Sequence, residues 1–163
     1  MLTAERAREL FAYDPESGLL TRLVRTANRT RAGDIAGSPR KDGYLEVGID
    51  NKTYLVHRVA FLIMEGRFPP HDTDHENLDR ADNRWVNIRP ATNSQNQANR
   101  GVRKNNKLGV KSVSLDKRSG KYRARIRVSG KQYTLLTSAD PEMCAFAYEL
   151  AAMVAFGEFA RTA

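Results

Sequence analysis

Asp74 and His75 stand side by side, and Asn83, Asn87, Arg89 and Asn96 follow at short intervals. These residue types suit one kind of chemistry. A histidine titrating near neutrality can take a proton from water. An aspartate carboxylate and an asparagine carbonyl are the hard oxygen ligands that Mg²⁺ prefers. A base that activates water and a cation that stabilises charge on phosphate and leaving oxygen are what phosphodiester hydrolysis needs. The surrounding stretch, residues 71–99, is crowded with His, Asp and Asn and poor in apolar side chains. A polar loop of that length inside a compact domain is unusual unless it is functional. Spacing alone also fits a surface or capping Asp-His pair, and it does not choose between the two readings.

The elements around this stretch must hold it. Thr3 can cap a first helix through Leu10, with Leu2, Ala7, Leu10 and Phe11 near helical spacing. Asp14 to Gly18 is a turn, Leu19 to Val24 a short strand, and residues 25–42 a long loop rich in Arg, Thr, Gly and Ser. Tyr44–Ile49 and Thr53–Val56 read as strands joined across Asp50-Asn51-Lys52, a hairpin signal. His57 to Met64 carries Val59, Ala60, Ile63 and Met64 on one face and is a helix that Gly66 ends. Trp85 to Arg89 contains a short β-like stretch, and Asn93 to Asn99 suits one or two helical turns. A hairpin followed by a helix would bring Asp74, His75 and Asn96 together. His57 reads as a structural hydrogen-bonder, His71 as solvated, Phe61 and Trp85 as core, and Cys144 as packing on an apolar helix face.

The C-terminal third changes character. Of the net charge of +8, residues 101–163 hold +7, and Asp116 is the only acid between Arg103 and Ala139. A localised positive field attracts polyanions. Lys111 to Asp116 is a strand. Tyr122 to Val128 alternates, with Tyr122, Ala124, Ile126 and Val128 on one face and Arg123, Arg125 and Arg127 on the other. Gln132 to Leu136 returns, and Pro141 opens a helix that Gly157 stops. Three antiparallel strands covered by one helix make a small α+β unit. Three arginines on one face are costly by like-charge repulsion unless a polyanion arrives. Lys111, Arg123, Arg125, Arg127 and Gln132, with Arg89 from the central stretch, are the candidate polyanion contacts.

A single cysteine rules out an intrachain disulfide and a zinc site built on several cysteines. No apolar run approaches the ~20 residues that span a bilayer, and the first residues carry no apolar signal-peptide core. These features lead us to expect a cytoplasmic protein with no membrane partner.

The order Asp74-His75-Glu76-Asn77, Arg80, Asp82-Asn83-Arg84, Asn87-Ile88-Arg89, Thr92 and Asn96 resembles the HNH motif of phage and intron-encoded homing endonucleases, in its H-N-N variant. Tyr54 to Ala60 resembles the strand-to-helix passage of that group, and Leu2 to Pro70 is similar to the N-terminal part of phage HNH proteins. The resemblance implies a ββα-metal (His-Me finger) fold. It makes His75 the general base, Asp74 a metal ligand, Asn87 the central Asn that pins the loop between the strands, and Asn96 the residue standing where many members have a second metal-binding His. An Asn there favours Mg²⁺ or Mn²⁺ over Zn²⁺, one ion per site. Lys107–Lys111, Asp116–Ala124 and Phe156–Ala160 are similar to the AP2/ERF domain, in which the sheet contacts the major groove. Departures at Leu108 and at Leu135-Leu136-Thr137 bear on base specificity.

The resulting expectation is an α+β chain: an HNH nuclease domain over 1–100 with its motif core at 54–99, a linker at 101–107, and an AP2/ERF-like DNA-binding domain over 108–163. Its function would be metal-dependent cleavage of double-stranded DNA by a monomer of phage or mobile-element origin, acting in a bacterial host as a site-preferring nickase. The alternative is a catalytically inactive DNA-binding regulator on the same scaffold.

Overall fold

The computed structural model describes residues 1–102 and 106–161. The chain divides into two compact units, Met1–Pro90 and Ala91–Ala163. Among the described residues no helix is long and apolar enough to cross a membrane.

The first unit opens on helix α1 (Ala4–Leu10), which Thr3 caps by accepting from the Arg6 amide at 3.2 Å. Strands β1 (Phe11–Tyr13), β2 (Leu20–Arg22) and β3 (Ile35–Ala36) form one antiparallel sheet in the order β1-β2-β3. Strands β4 (Ser38–Pro39), β5 (Leu45–Ile49) and β6 (Lys52–Leu55) form a second. The hairpin between β5 and β6 turns on Asp50 and Asn51, both at positive φ, the backbone that a two-residue primed turn needs. The long loop expected over 25–42 holds β3 and β4, each two residues and too short to show an alternation.

Helix α2 (Val56–Glu65) ends on Gly66 at φ 75°, whose amide bonds back to the Leu62 carbonyl. It serves two clusters. Val56, Val59 and Leu62 join Leu10, Phe11, Leu20, Val47 and Ile49. Ala60 and Phe61 turn to Ile88, with Trp85 and Tyr13 against them. Each large side chain buried this way contributes roughly 1.5–3 kcal/mol. The second cluster fixes strand β8 (Ile88–Ala91), which pairs with β7 (Asp72–His75).

In the second unit α3 (Asn93–Asn99) begins with a capping box between Thr92 and Gln95. Strands β9 (Val113–Asp116), β10 (Lys121–Val128) and β11 (Lys131–Ser138) make an antiparallel sheet with β10 in the centre. Helix α4 (Pro141–Phe156) covers it, capped by Asp140 with Pro141 in the first turn. Val113, Ala124, Ile126, Cys144, Tyr148 and Ala152 form the core, and Tyr122 and Val128 flank it, as the alternation requires. A bulge departs from simple alternation. Ala124 pairs with Leu136 but Arg125 with Thr134, which lets consecutive Leu135 and Leu136 both reach the core.

The sequence reading puts the boundary after residue 100, yet α3 belongs to the second unit, where it contacts α4 and the C-terminal 3₁₀ turn Gly157–Phe159. Of the expected linker 101–107, residues 103–105 lie outside the described residues.

Candidate active site

The site grows from β7, where Thr73, Asp74 and His75 are all buried. The chain then leaves the strand through a loop and returns by a 3₁₀ turn, Trp85–Asn87, into β8. Asn87 holds that loop shut. Its side-chain carbonyl accepts from the Asn77 amide at 2.9 Å, and its side-chain NH₂ donates to the Asp82 carbonyl at 2.7 Å. Its backbone carbonyl accepts from the Glu76 amide at 2.9 Å. Asn83, buried under the loop, places Oδ1 3.4 Å from His75 Nε2 and donates from Nδ2 to the Ala81 carbonyl.

The N-terminal sheet supports the same loop. The Tyr13 hydroxyl donates to the Asn83 carbonyl at 2.7 Å, and the Trp85 amide to the Pro15 carbonyl at 2.9 Å. Gly18, at φ 73°, lies so close that a Cβ there would sit 2.4 Å from the Arg84 nitrogen, so the turn admits no side chain.

His75 lies in an aromatic enclosure. The His57 ring is 5.1 Å from it and the Tyr44 ring 5.6 Å, centroid to centroid, and Arg80 sits over Tyr44. Burial lowers the His75 pKa; the Asn83 hydrogen bond and the charges of Asp74, Asp82 and Asp79 oppose that shift. His57 shows the same effect without such opposition. Burial first, then the charges of His75 and Arg58, pushes it down to about 3, and its Nδ1 has no hydrogen-bond partner among the described residues. The sequence reading of His57 as a structural hydrogen-bonder is therefore corrected: it is a neutral, buried ring packed edge-on against His75.

That burial has a consequence for stability. The unfolded chain protonates His57 near its ordinary value of 6.5, and the folded chain only near 3. The contribution is therefore complete above about pH 6.5 and is lost as the pH falls toward 3. Between pH 7 and pH 5 the loss is about 2 kcal/mol. Urea midpoints of the wild type and His57→Phe, taken at both pH values, should differ by that amount in their pH response. The His75 shift acts in both proteins and cancels. Parallel pH responses would show that His57 is not held neutral.

Asp74 is not an isolated carboxylate. Arg89 Nε donates to its Oδ2 at 3.1 Å, and the same guanidinium lies 3.5 Å from Glu76 Oε2. Arg89, read from the sequence as a DNA contact, is placed by the structure between these two carboxylates. Its side chain is largely buried and supplies the countercharge that a buried carboxylate requires. Among the described residues no group of three or more His, Cys, Asp and Glu is placed to hold a metal ion. One buried carboxylate is the kind of hard oxygen donor that a divalent cation takes while keeping several waters.

Residues 54–98 match the family model described as HNH endonuclease. The matched segment is the part of the chain that carries the site. It contains Asp74, His75, Asn83, Asn87 and Arg89, which the first unit brings together, and Asn96, which stands on α3 in the second unit. The chain is 33% identical over 122 residues to an uncharacterized HNH endonuclease of Acanthamoeba polyphaga mimivirus, an alignment covering 74% of this chain. It spans 62% of the length of that relative. A solved structure showing DNA binding and cleavage by the HNH homing endonuclease I-HmuI aligns with a TM-score of 0.41 at 22% identity, over 55% of this chain and 50% of that one.

Outside the HNH segment, the second unit sorts the remaining candidates. Arg127 and Gln132 are exposed neighbours across β10 and β11, and Arg125 is half-buried. All three line a groove of about 1010 Å³ with Asn93, Gln97 and Arg100. Arg123 is bound to Asp116 at 2.6 Å, so the acid that sequence reading sets apart neutralises one of the three arginines. Lys111, read from the sequence as a DNA contact, lies in the interior of the second unit. It is buried, and its Nζ donates to the Ala98 carbonyl and, at 3.0 Å, to that of Arg161. Burial lowers its pKa to about 8. The ammonium satisfies one carbonyl at the end of α3 and one just beyond the C-terminal 3₁₀ turn, and is not offered to solvent.

Proposed function

We propose that this protein is a metal-dependent HNH endonuclease that hydrolyses phosphodiester bonds in duplex DNA. One observation carries the reading: His75, buried beside Asp74 on β7, has its pKa lowered by that burial, within a loop that Asn87 holds closed. Burial that lowers the pKa keeps the imidazole neutral at physiological pH, the form a general base needs. His75 takes the proton from the attacking water. Asn83, within reach of Nε2, orients the ring, and Asn87 keeps the loop that carries Asn83 in place.

Asp74 is the carboxylate that would hold Mg²⁺ or Mn²⁺, and the sequence resemblance adds Asn96 as a second oxygen ligand. The ion, when bound, supplies charge stabilisation at phosphate and leaving oxygen. Arg89 orients Asp74 through their ion pair.

The second unit is proposed as an AP2-like DNA-binding module, with Arg125, Arg127 and Gln132 contacting DNA. The order β11-β10-β9 under α4, and the exposure of Arg127 and Gln132, support that reading. The chain carries one HNH segment and would act as a monomer, cutting one strand per encounter. On supercoiled plasmid the first product is then open circle, with linear DNA lagging or absent. Linear product at the earliest times, with sedimentation showing a dimer, would replace this with paired sites on a symmetric target.

A further inference from the structure

Counted as a whole, residues 1–56 look electrically neutral, with nine Lys/Arg against eight Asp/Glu. The structure shows that this balance is uneven in space. Arg6 is paired with Glu9 and Asp50, and Arg40 with Asp42 and Glu46. The segment between β2 and β3 is different. Residues 23–34 contain Arg25, Arg29 and Arg31 against a single acid, Asp34.

This segment is ordered by its own hydrogen bonds. The Arg22 carbonyl accepts from the Gly33 amide at 2.8 Å and the Arg22 amide donates to the Asp34 carbonyl at 2.9 Å, closing the base of the loop. Thr30 Oγ1 is the hub. It accepts from the Ala27 amide at 2.9 Å and the Thr26 amide at 3.2 Å, and donates to the Ala27 carbonyl. Arg25 braces the turn by donating to the carbonyls of Ala27 and Asn28. Asp34, the nearest acid in sequence, accepts from the backbone amide of Arg31. Among the described residues no salt bridge reaches Arg25, Arg29 or Arg31, and all three are exposed.

A small loop that is ordered from within and holds three unneutralised guanidiniums on its surface stores like-charge repulsion. A polyanion relieves it. Guanidiniums match phosphate oxygens in fork geometry, and the exposed Thr26 and Asn28 beside them are side-chain types that commonly contact phosphates. We propose that the loop between β2 and β3 is a second DNA-contacting surface, in which Arg25, Arg29 and Arg31 bind backbone phosphates of duplex DNA. The inference rests on the nuclease reading above and adds to it a phosphate clamp on the first unit itself, separate from the basic sheet of the second. Contacts of this kind fix position on the duplex without reading sequence.

The test uses the full chain and a 30-base-pair duplex in EDTA, with affinity followed by anisotropy across a KCl series. Each lost phosphate contact should reduce the slope of log affinity against log salt by about 0.9. The triple variant R25A/R29A/R31A should therefore lower the slope by about 2–3, equally on duplexes of unrelated sequence. Because Arg25 braces the turn, the double variant R29A/R31A serves as a control with the brace intact, and it should lower the slope by about 2. The double variant should keep the wild-type thermal midpoint. A wild type that binds and cleaves DNA, with slopes unchanged in both variants, overturns the loop's role and leaves the nuclease reading standing. A wild type without salt-dependent duplex binding overturns both. Losses confined to heparin or to an RNA duplex, with DNA affinity intact, assign the loop to another polyanion and overturn the proposal.

Discussion

His75→Ala should lower the rate of plasmid cleavage by roughly 10²–10⁴-fold, the range for loss of a general base, while leaving DNA affinity close to wild type. The expectation follows from position. His75 is buried beside Asp74 at the end of β7, and its Nε2 faces Asn83. Nothing in the structure makes it a surface contact for DNA. Alanine removes the proton acceptor and leaves the strand pairing of β7 with β8 intact. Single-turnover cleavage and anisotropy on the same duplex separate the two effects. A variant that cleaves at the wild-type rate removes His75 from the mechanism. A variant that loses affinity in proportion to rate makes it a binding residue instead.

The second large effect is expected at Asn87. The resemblance places this residue in the catalytic set, and its hydrogen bonds give that place a physical meaning. It joins the Asn77 amide to the Asp82 carbonyl across the loop. Asn87→Ala leaves both groups without that partner, at about 1 kcal/mol for each hydrogen bond lost. Asn87→Asp keeps an acceptor for Asn77 but loses the donor to Asp82 and sets a charge against a carbonyl. Both variants should lower the thermal midpoint. Both should also slow cleavage, by around 100-fold if the loop shifts His75 by about an ångström. A positioning residue loses stability and rate together. If Asn87→Ala cuts slowly but melts like the wild type, Asn87 acts on the reacting atoms directly and the positioning account is wrong.

Local patterns made some of this legible in the sequence. The alternation of Tyr122 to Val128 gave the buried and polar faces of β10, because a half-buried strand writes its two faces in a period of two. Thr3, Pro141 and Gly157 mark helix ends because capping chemistry is local. Asp50-Asn51 marks the hairpin because few residues accept positive φ. The order of residues from Asp74 to Asn96 pointed to the nuclease family.

What the sequence hid was pairing across the chain. Whether Arg89 meets DNA or Asp74 depends on the register of β7 against β8, which neither strand states alone. Lys111 reads as one more base in a basic segment until the fold buries it against the carbonyls of Ala98 and Arg161. Asp116 and Arg123 meet because β9 and β10 pair antiparallel. His57 resembles any histidine at a strand-helix junction; its neutrality comes from burial under Tyr44 and His75, residues far from it in sequence. The arginines between β2 and β3 disappear in an average taken over a segment whose acids lie elsewhere in space.

The central claim is that His75 and a divalent ion held at Asp74 hydrolyse DNA. The most direct test is the initial rate of supercoiled-plasmid cleavage by the purified full chain in Mg²⁺, with excess EDTA and His75→Ala in parallel. The account expects cleavage in Mg²⁺, none above background in EDTA, and a rate for His75→Ala at least 100-fold below wild type. Cleavage that persists in EDTA, or that His75→Ala retains in full, would contradict it. DNA binding without cleavage under any of these conditions would mark the chain as a regulator on a nuclease scaffold.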